Sequence, residues 1–335
     1  MHEATGALAA PATEQERPAP PRRAAIASVA TAVPKEVRPN AAIAARIGVE
    51  ESWIVERTGV RERRVAGADE TLLDLAVAAS RDALARAGIE ASQLNGVIAA
   101  TMSHERITPN LAPLIAAELG TEAGAIDVGA ACTGFLGALA FAVPLVETGR
   151  AEAVLVVGAD LMTRMIDHDD RSTAALFGDG AGAVVVAPAR GAGVGPVLLG
   201  SDGVRAELVT ATREEGILRM EGQDTFREAV ARLTDVTRDA AAAAGVGLDE
   251  IDAFIYHQAN ARILRAVGQR LKLPAERVVE CISSYGNTSA ASIPLTLERA
   301  LEQGVLRPGG RALLAAFGGG MTWGGTVVEW EGSER

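Results

Sequence analysis

The chain has 335 residues, 48% of them hydrophobic and 3% aromatic, with 36 glycines and a formal charge of −11 from 43 acidic and 32 basic residues. That is enough chain for one large domain or two ordinary ones, and the Ala, Val, Leu and Gly bias is that of an α/β fold. The acidic balance gives no electrostatic reason to expect nucleic acid, and two cysteines far apart make neither a disulfide framework nor a metal site, so a reducing, cytoplasmic setting is expected.

In chain order, residues 1–23 are rich in Pro and Ala, lack an apolar run long enough for a signal peptide, and read as a disordered tail. RDALARAGIEASQLNGVIAA (81–100) reads as a helix closed by Gly88, a short polar loop and a buried strand. AIDVGAAC (125–132) reads as a strand and turn, and TGFLGALAFA (133–142) as the helix after it. The uncharged stretch 128–146 approaches the length of a membrane span, but its glycines, alanines and Pro144 make it a buried helix and no membrane is expected. GRAEAVLVVGAD (149–160) is a loop feeding an apolar strand. FGDGAGA (177–183) has tempting glycine spacing, yet it precedes a strand instead of opening a helix after one, so it fails as a dinucleotide site. Its Asp179 reads as a backbone cap, and Cys281, on the apolar strand RVVECI, as core.

The second part of the chain repeats the first. RDAAAAAGVGLDEIDAFIYH (238–257) aligns with 81–100 without a gap, matching Arg238 to Arg81, Gly245 to Gly88, Ile251 to Leu94 and Ile255 to Ile98. GGRALLAAFGGG (309–320) resembles 149–160 more loosely. Alternating helices and strands predict mostly parallel sheets covered by helices, in two duplicated halves, 24–190 and 191–335.

Three side chains carry candidate chemistry. Cys132 lies among small residues at a strand–helix junction, where the helix dipole is expected to lower its pKa and favour thiolate; a lone cysteine in apolar surroundings is otherwise structural. His257, in YHQAN (256–260), ends a sheet strand, where α/β proteins place ligands. Asn287, in SSYGNTSAASIP (283–294), sits in a turn of small residues that also reads as an ordinary turn before a helix. AFGGGMTWGG (316–325) exposes backbone N–H groups as an oxyanion hole requires, or is merely a tight turn. Papain-like proteases use the same Cys, His and Asn, so the trio alone is not specific.

The flanking motifs decide. SWIVERTGVRERRVA (52–66), AACTGF (130–135), LFGDGAGA (176–183), YHQANARIL (256–264), YGNTSAASIP (285–294) and FGGGMTWG (317–324), in that order, resemble the β-ketoacyl-ACP synthase III family of the thiolase-like superfamily, over about residues 24–332. The resemblance implies a thiolase-like fold, duplicated βα halves in an α-β-α-β-α sandwich. It makes Cys132 the nucleophile acylated by an acyl-CoA ester, His257 and Asn287 the pair that drives decarboxylation of malonyl-ACP, and the backbone amides of Cys132 and Gly319 the oxyanion hole. It puts Trp53 and Arg171 on the adenine of coenzyme A, Arg57 and Thr58 in the same recognition segment, and Asn260 on the pantetheine arm. Arg227, Arg262 and Arg270 fall where the family greets its acidic carrier protein. Each of these arginines also reads as part of a solvated helix face. A homodimer is implied, and no metal, flavin or nicotinamide.

Two departures bear on substrate. HERITPNLAP (104–113) puts Thr108 where housekeeping members carry a bulkier residue at the floor of the partner's acyl pocket, which implies a deeper pocket and a starter longer or more branched than acetyl. VRAELVTATREEGILRM (204–220), which helps frame the pocket mouth, is shorter than in typical bacterial members. The resulting expectation is a condensing enzyme giving a 3-oxoacyl-ACP, for fatty-acid or polyketide initiation. The alternative is an acyltransferase that forms no carbon–carbon bond, and it has less need of His257 and Asn287. A silent partner subunit would lack Cys132, and a thiolase would place its second thiol in a Gly-rich turn, unlike Cys281.

Overall fold

The computed structural model describes residues 22–332. Its first part runs β1 (Ala24–Ala32), β2 (Glu36–Pro39), α1 (Asn40–Ile47), α2 (Glu51–Thr58), β3 (Glu62–Val65), α3 (Leu72–Ala87), β4 (Gly96–Ala100), α4 (Leu111–Leu119), β5 (Gly124–Val128), α5 (Gly134–Glu147), β6 (Val154–Leu161) and β7 (Asp179–Pro188). It continues with β8 (Leu198–Ser201), β9 (Val209–Ala211), β10 (Leu218–Met220), α6 (Gly222–Ala244), β11 (Ala253–Tyr256), α7 (Ala261–Leu271), α8 (Ile282–Tyr285), α9 (Ser292–Glu302), β12 (Arg311–Gly318) and β13 (Thr322–Glu329).

Two sheets dominate, ordered β1-β7-β6-β4-β5 and β11-β12-β13-β8. Inner strands such as β4, β6, β11 and β12 are apolar on both faces because each sheet is covered on both sides. Along β6, Val154 and Val156 face one core while Leu155, Val157 and Ala159 face another. Along β12, Ala312, Leu314 and Ala316 share the core of Val154, and Leu313, Ala315 and Phe317 enter a third. The shared core holds α5 and α9 between the sheets; α3 and α4 cover the first sheet outside, and α6 and α7 the second. The layers are therefore α-β-α-β-α. Truncating a fully buried side chain of the central layer, such as Leu139, to alanine costs about 2–5 kcal/mol.

The sequence repeat is a structural repeat. α3 and α6 both end at a glycine in the left-handed region, Gly88 (φ 65°) and Gly245 (φ 71°). A 3-10 turn follows each, and then β4 or β11, which pairs in parallel with β6 or β12 respectively. The expectation of mostly parallel sheets is corrected: β1–β7, β6–β7, β12–β13 and β13–β8 are antiparallel. The link from β12 to β13 is too short for a crossover, so it folds back as a hairpin. Cys281 is buried as expected, but not on a strand: Val278 makes an isolated bridge to Phe254, and Cys281 caps α8. The tail expected over 1–23 lies outside the described residues up to 21. Its last two residues are placed, Arg22 gripping Glu152 at 2.7 Å and Arg23 bonding Ala192 O at 3.3 Å. The 128–146 stretch forms α5, and no helix among the described residues is long and apolar enough to cross a membrane.

Candidate active site

The carboxyl ends of β5, β11 and β12 open on one cavity of about 890 Å³, lined by Cys132, His257, Asn287 and Gly319 among others. Between β5 and α5 the chain makes a 3-10 turn, Ala131–Thr133, in which Ala131 takes φ 45°. Such a conformation is strained for a residue with a side chain, and here it presents the next residue, Cys132, to the cavity. Thr133 anchors the turn, its hydroxyl donating to Ala130 O at 2.7 Å and meeting Thr322 Oγ1 at 2.7 Å.

Burial pushes the Cys132 thiol up to about 12, the Asp160 carboxylate adds to the rise, and the Ser289 hydroxyl opposes it. Burial thus acts against the lowering that the start of α5 is expected to bring. Burial also lowers His257 to about 3, leaving a neutral imidazole. Thiol and imidazole therefore rest uncharged.

His257 follows β11, continuing its ladder by an N–H bond to Ala315 O at 2.8 Å. Its Nδ1 lies 2.6 Å from Ser292 Oγ, at the start of α9. Gln258, beside it, is wholly engaged. Its amide donates to Tyr256 O and Val279 O and accepts from Cys281 N and Ile282 N. Asn287 is 4% exposed, and its Oδ1 accepts the Ser289 N–H at 2.9 Å, which leaves Nδ2 as the group offered to the cavity.

Behind the nucleophile lies a residue that sequence reading missed. Asp160 is fully buried at the end of β6, where Oδ1 accepts from Met102 N, Ser103 N, Ser103 Oγ and Thr101 Oγ1, and Oδ2 accepts from Ala290 N. It ties the loop after β4 to the turn before α9. Asp179 is the backbone anchor expected, accepting from Ala66 N, Thr163 N and Thr163 Oγ1.

The remaining candidates divide. Trp53, Arg57, Arg171, Asn260, Arg227 and Arg262 all line the cavity. Arg57 stands 5.6 Å from the Trp53 ring centroid, and Arg262 lies 5.5 Å from that of Phe226. Arg171 is held by the carbonyls of Ile47 (2.9 Å) and Gly48 (3.3 Å). Asn260 caps α7 through Arg262 N and donates to Arg57 O, joining α7 to α2. Thr58 lines the cavity too, but its hydroxyl bonds Ile54 O and Val60 N, so it holds α2 in place. Arg270, exposed in the last turn of α7, does not line the cavity. Thr108 is exposed and lies outside this chain's own cavity. The 204–220 segment supplies Val209, Thr210, Ala211, Leu218 and Met220 to the wall, through the β9–β10 hairpin. Met102 adds apolar lining that no motif announced, beside Leu176 and Phe317, the first residues of LFGDGAGA and FGGGMTWG.

Comparison with known proteins places the chain in a family. Residues 126–203 match the family described as 3-oxoacyl-[acyl-carrier-protein (ACP)] synthase III, and residues 241–330 match its C-terminal counterpart. A β-ketoacyl-[acyl-carrier-protein] synthase III of Erythrobacter litoralis is 43% identical over 319 residues, spanning 92% of this chain and 99% of the relative. The crystal structure of 3-oxoacyl-(acyl carrier protein) synthase III from Pseudomonas aeruginosa superposes with a TM-score of 0.88 at 41% identity, covering 92% of this chain and 99% of that one. The priming β-ketosynthase of a polyketide biosynthetic pathway gives a TM-score of 0.91 at 37% identity, with 96% and 100% covered.

Proposed function

The chain belongs to the β-ketoacyl-ACP synthase III family, and we propose that Cys132 takes the acyl group of an acyl-CoA and delivers it to malonyl-ACP, giving a 3-oxoacyl-ACP. It is a thiolase-fold condensing enzyme that initiates fatty-acid or polyketide synthesis. The observation that carries the assignment of residues is the convergence of Cys132, His257, Asn287 and Gly319 on one cavity whose rim carries exposed Arg57, Arg171, Arg227 and Arg262.

In the first half-reaction Cys132 Sγ attacks the thioester carbonyl, the amides of Cys132 and Gly319 hold the oxyanion, and the thiol proton leaves on the sulfur of coenzyme A. In the second, His257 and the Asn287 amide donate to the thioester oxygen of the malonyl group as carbon dioxide departs. The resulting carbanion attacks the acyl carbonyl on Cys132, and the cysteine leaves as thiolate. A neutral His257 suits this role, because a hydrogen-bond donor in a dry site is what the developing enolate needs. The rim guanidiniums match the phosphates of coenzyme A and the acidic surface of a carrier protein. No metal or redox cofactor enters the scheme, and a reducing, cytoplasmic setting keeps the thiol free.

A homodimer built on the open edge of β5 is part of the reading. β5 pairs only with β4 among the described strands, Ile126 on it is 50% exposed, and Ile107 beside Thr108 is 74% exposed.

Intact-protein mass spectrometry after incubation with a panel of acyl-CoA esters tests the nucleophile. An acyl mass gain that vanishes in Cys132→Ala is expected, and its persistence in that variant rejects Cys132. His257→Ala and Asn287→Ala should keep the adduct and lose carbon dioxide release from malonyl-ACP.

A further inference from the structure

We infer that Ser292 is a positioning residue that fixes the tautomer of His257, so that its cavity-facing nitrogen, Nε2, carries the proton. The inference deepens the function proposed above and rests on it. His257 Nδ1 and Ser292 Oγ are 2.6 Å apart, and both residues are about 1% exposed. The same Oγ accepts the Gln258 N–H at 3.1 Å.

A hydroxyl has one proton to give and two lone pairs, and a neutral imidazole has one N–H and one bare nitrogen. If Ser292 donates to Nδ1, every group is served: the Gln258 N–H has its acceptor, the hydroxyl proton has its acceptor, and Nδ1 is bonded. If Nδ1 carried the proton instead, two donors would converge on Oγ and the hydroxyl proton would be left in a dry site without an acceptor. The first arrangement leaves Nε2–H as the donor to the cavity. A bare Nε2 would repel the enolate oxygen that the decarboxylation step creates. The tautomer is set by the second residue of the pair, as the partner of a functional histidine commonly does.

Ser292 heads α9, the buried helix of the central layer, and His257 directly follows β11, so the bond also locks the imidazole to the rigid core of the molecule. Sequence reading quoted Ser292 only as a letter of the NTSAASIP motif. Its role appears when α9 is laid against the end of β11.

The experiment is long-range 1H–15N correlation spectroscopy on protein labelled at histidine, with His257 assigned by comparison with His257→Gln. The wild type is expected to show a protonated Nε2 and a bare Nδ1; the opposite tautomer overturns the inference whatever the enzyme's activity. Ser292→Ala is expected to give a mixture of tautomers. It should also lower the ratio of malonyl-ACP decarboxylation to Cys132 acylation about tenfold, a part of the ~10²–10³ lost when an oxyanion donor is removed outright. Ser292→Thr, which keeps the hydroxyl, should restore both the tautomer and the ratio. An unchanged ratio in Ser292→Ala with a shifted tautomer rejects the catalytic consequence. Wild-type protein that shows the Nε2–H tautomer but never decarboxylates malonyl-ACP rejects the proposed function and leaves the tautomer assignment standing.

Discussion

A methyl group on Gly318 would stand 3.0 Å from the amide nitrogen of Cys132 and 3.1 Å from its Cβ. The nucleophile turn of the first half thus seats on bare backbone at the end of β12, a strand of the second. Gly318→Ala must push Cys132 back or lift the 319–321 turn, and either motion separates the sulfur from the Gly319 amide. The contact asks for a shift of a few tenths of an ångström, and a full 1 Å misplacement costs about 10² in rate. Acyl-enzyme formation followed by mass spectrometry is therefore expected to slow severalfold, up to about tenfold. Acylation at the parent rate would show that the contact does not align the site.

The resting charges give a pH test. With the thiol pushed up to about 12 and His257 down to about 3, no thiolate–imidazolium pair exists near neutrality. Alkylation of Cys132 by iodoacetamide should climb about tenfold per pH unit from pH 6 to 9, following the thiolate fraction. A plateau below pH 8 would reveal a preformed ion pair. Stability follows the same shifts. Between about pH 6.5 and 3 the unfolded chain binds a proton at His257 that the folded chain refuses, so stability falls as pH falls through that window. At Cys132 the folded chain holds the extra proton between 9.0 and about 12, so stability falls as pH rises there. Urea unfolding of His257→Gln should show a flatter acid limb than the parent, and an identical limb would contradict the burial argument.

Why Cys132, His257 and Asn287 were legible while Asp160 was not is a matter of where the information lies. Cys132 and Asn287 stand in runs of small residues before a helix, and His257 stands where an apolar strand stops, patterns that are visible along the chain. The duplication was legible too, since Gly88 and Gly245 must both adopt φ > 0 to end their helices. Asp160 ends an apolar strand like many surface carboxylates, and its five donors arrive from the 101–103 loop and from Ala290, far away in sequence. Gln258 is one polar letter of YHQAN, and its four backbone partners could not be known before 279–282 was placed beside β11. The burial that raises the Cys132 thiol was hidden for the same reason, because a helix start is local while desolvation is a property of the assembled site.

Three arginines carried one expectation and now separate. Arg227 and Arg262 line the cavity, with Arg262 stacked near Phe226, whereas Arg270 stands in the last turn of α7 and does not line it. Arg262→Glu and Arg227→Glu should each raise KM for malonyl-ACP about tenfold, with the effect shrinking at high salt, as rim charges that steer an acidic partner do. Arg270→Glu should change KM less than twofold, within the range of a screened surface charge. Equal effects at all three positions would move the docking face to the far end of the helix.

Thr108 gives the last test, and it joins substrate range to assembly. The residue is exposed and absent from its own chain's cavity, so its influence on acyl-chain length is expected to pass through a second copy. The neighbouring Ile107 and the β5 residue Ile126 present the apolar surface that such a contact would cover. Thr108→Phe should shorten the longest acyl group loaded onto Cys132 from a graded series of acyl-CoA esters, while acetyl loading stays near the parent rate. The same variant, mixed with an excess of Cys132→Ala protein carrying Thr108, should recover long-chain loading in the heterodimers, because the active cavity is then floored by threonine from the partner. An unchanged chain-length profile would place Thr108 outside every acyl pocket. A shortened profile that the mixture fails to rescue would mean that the residue acts within its own chain.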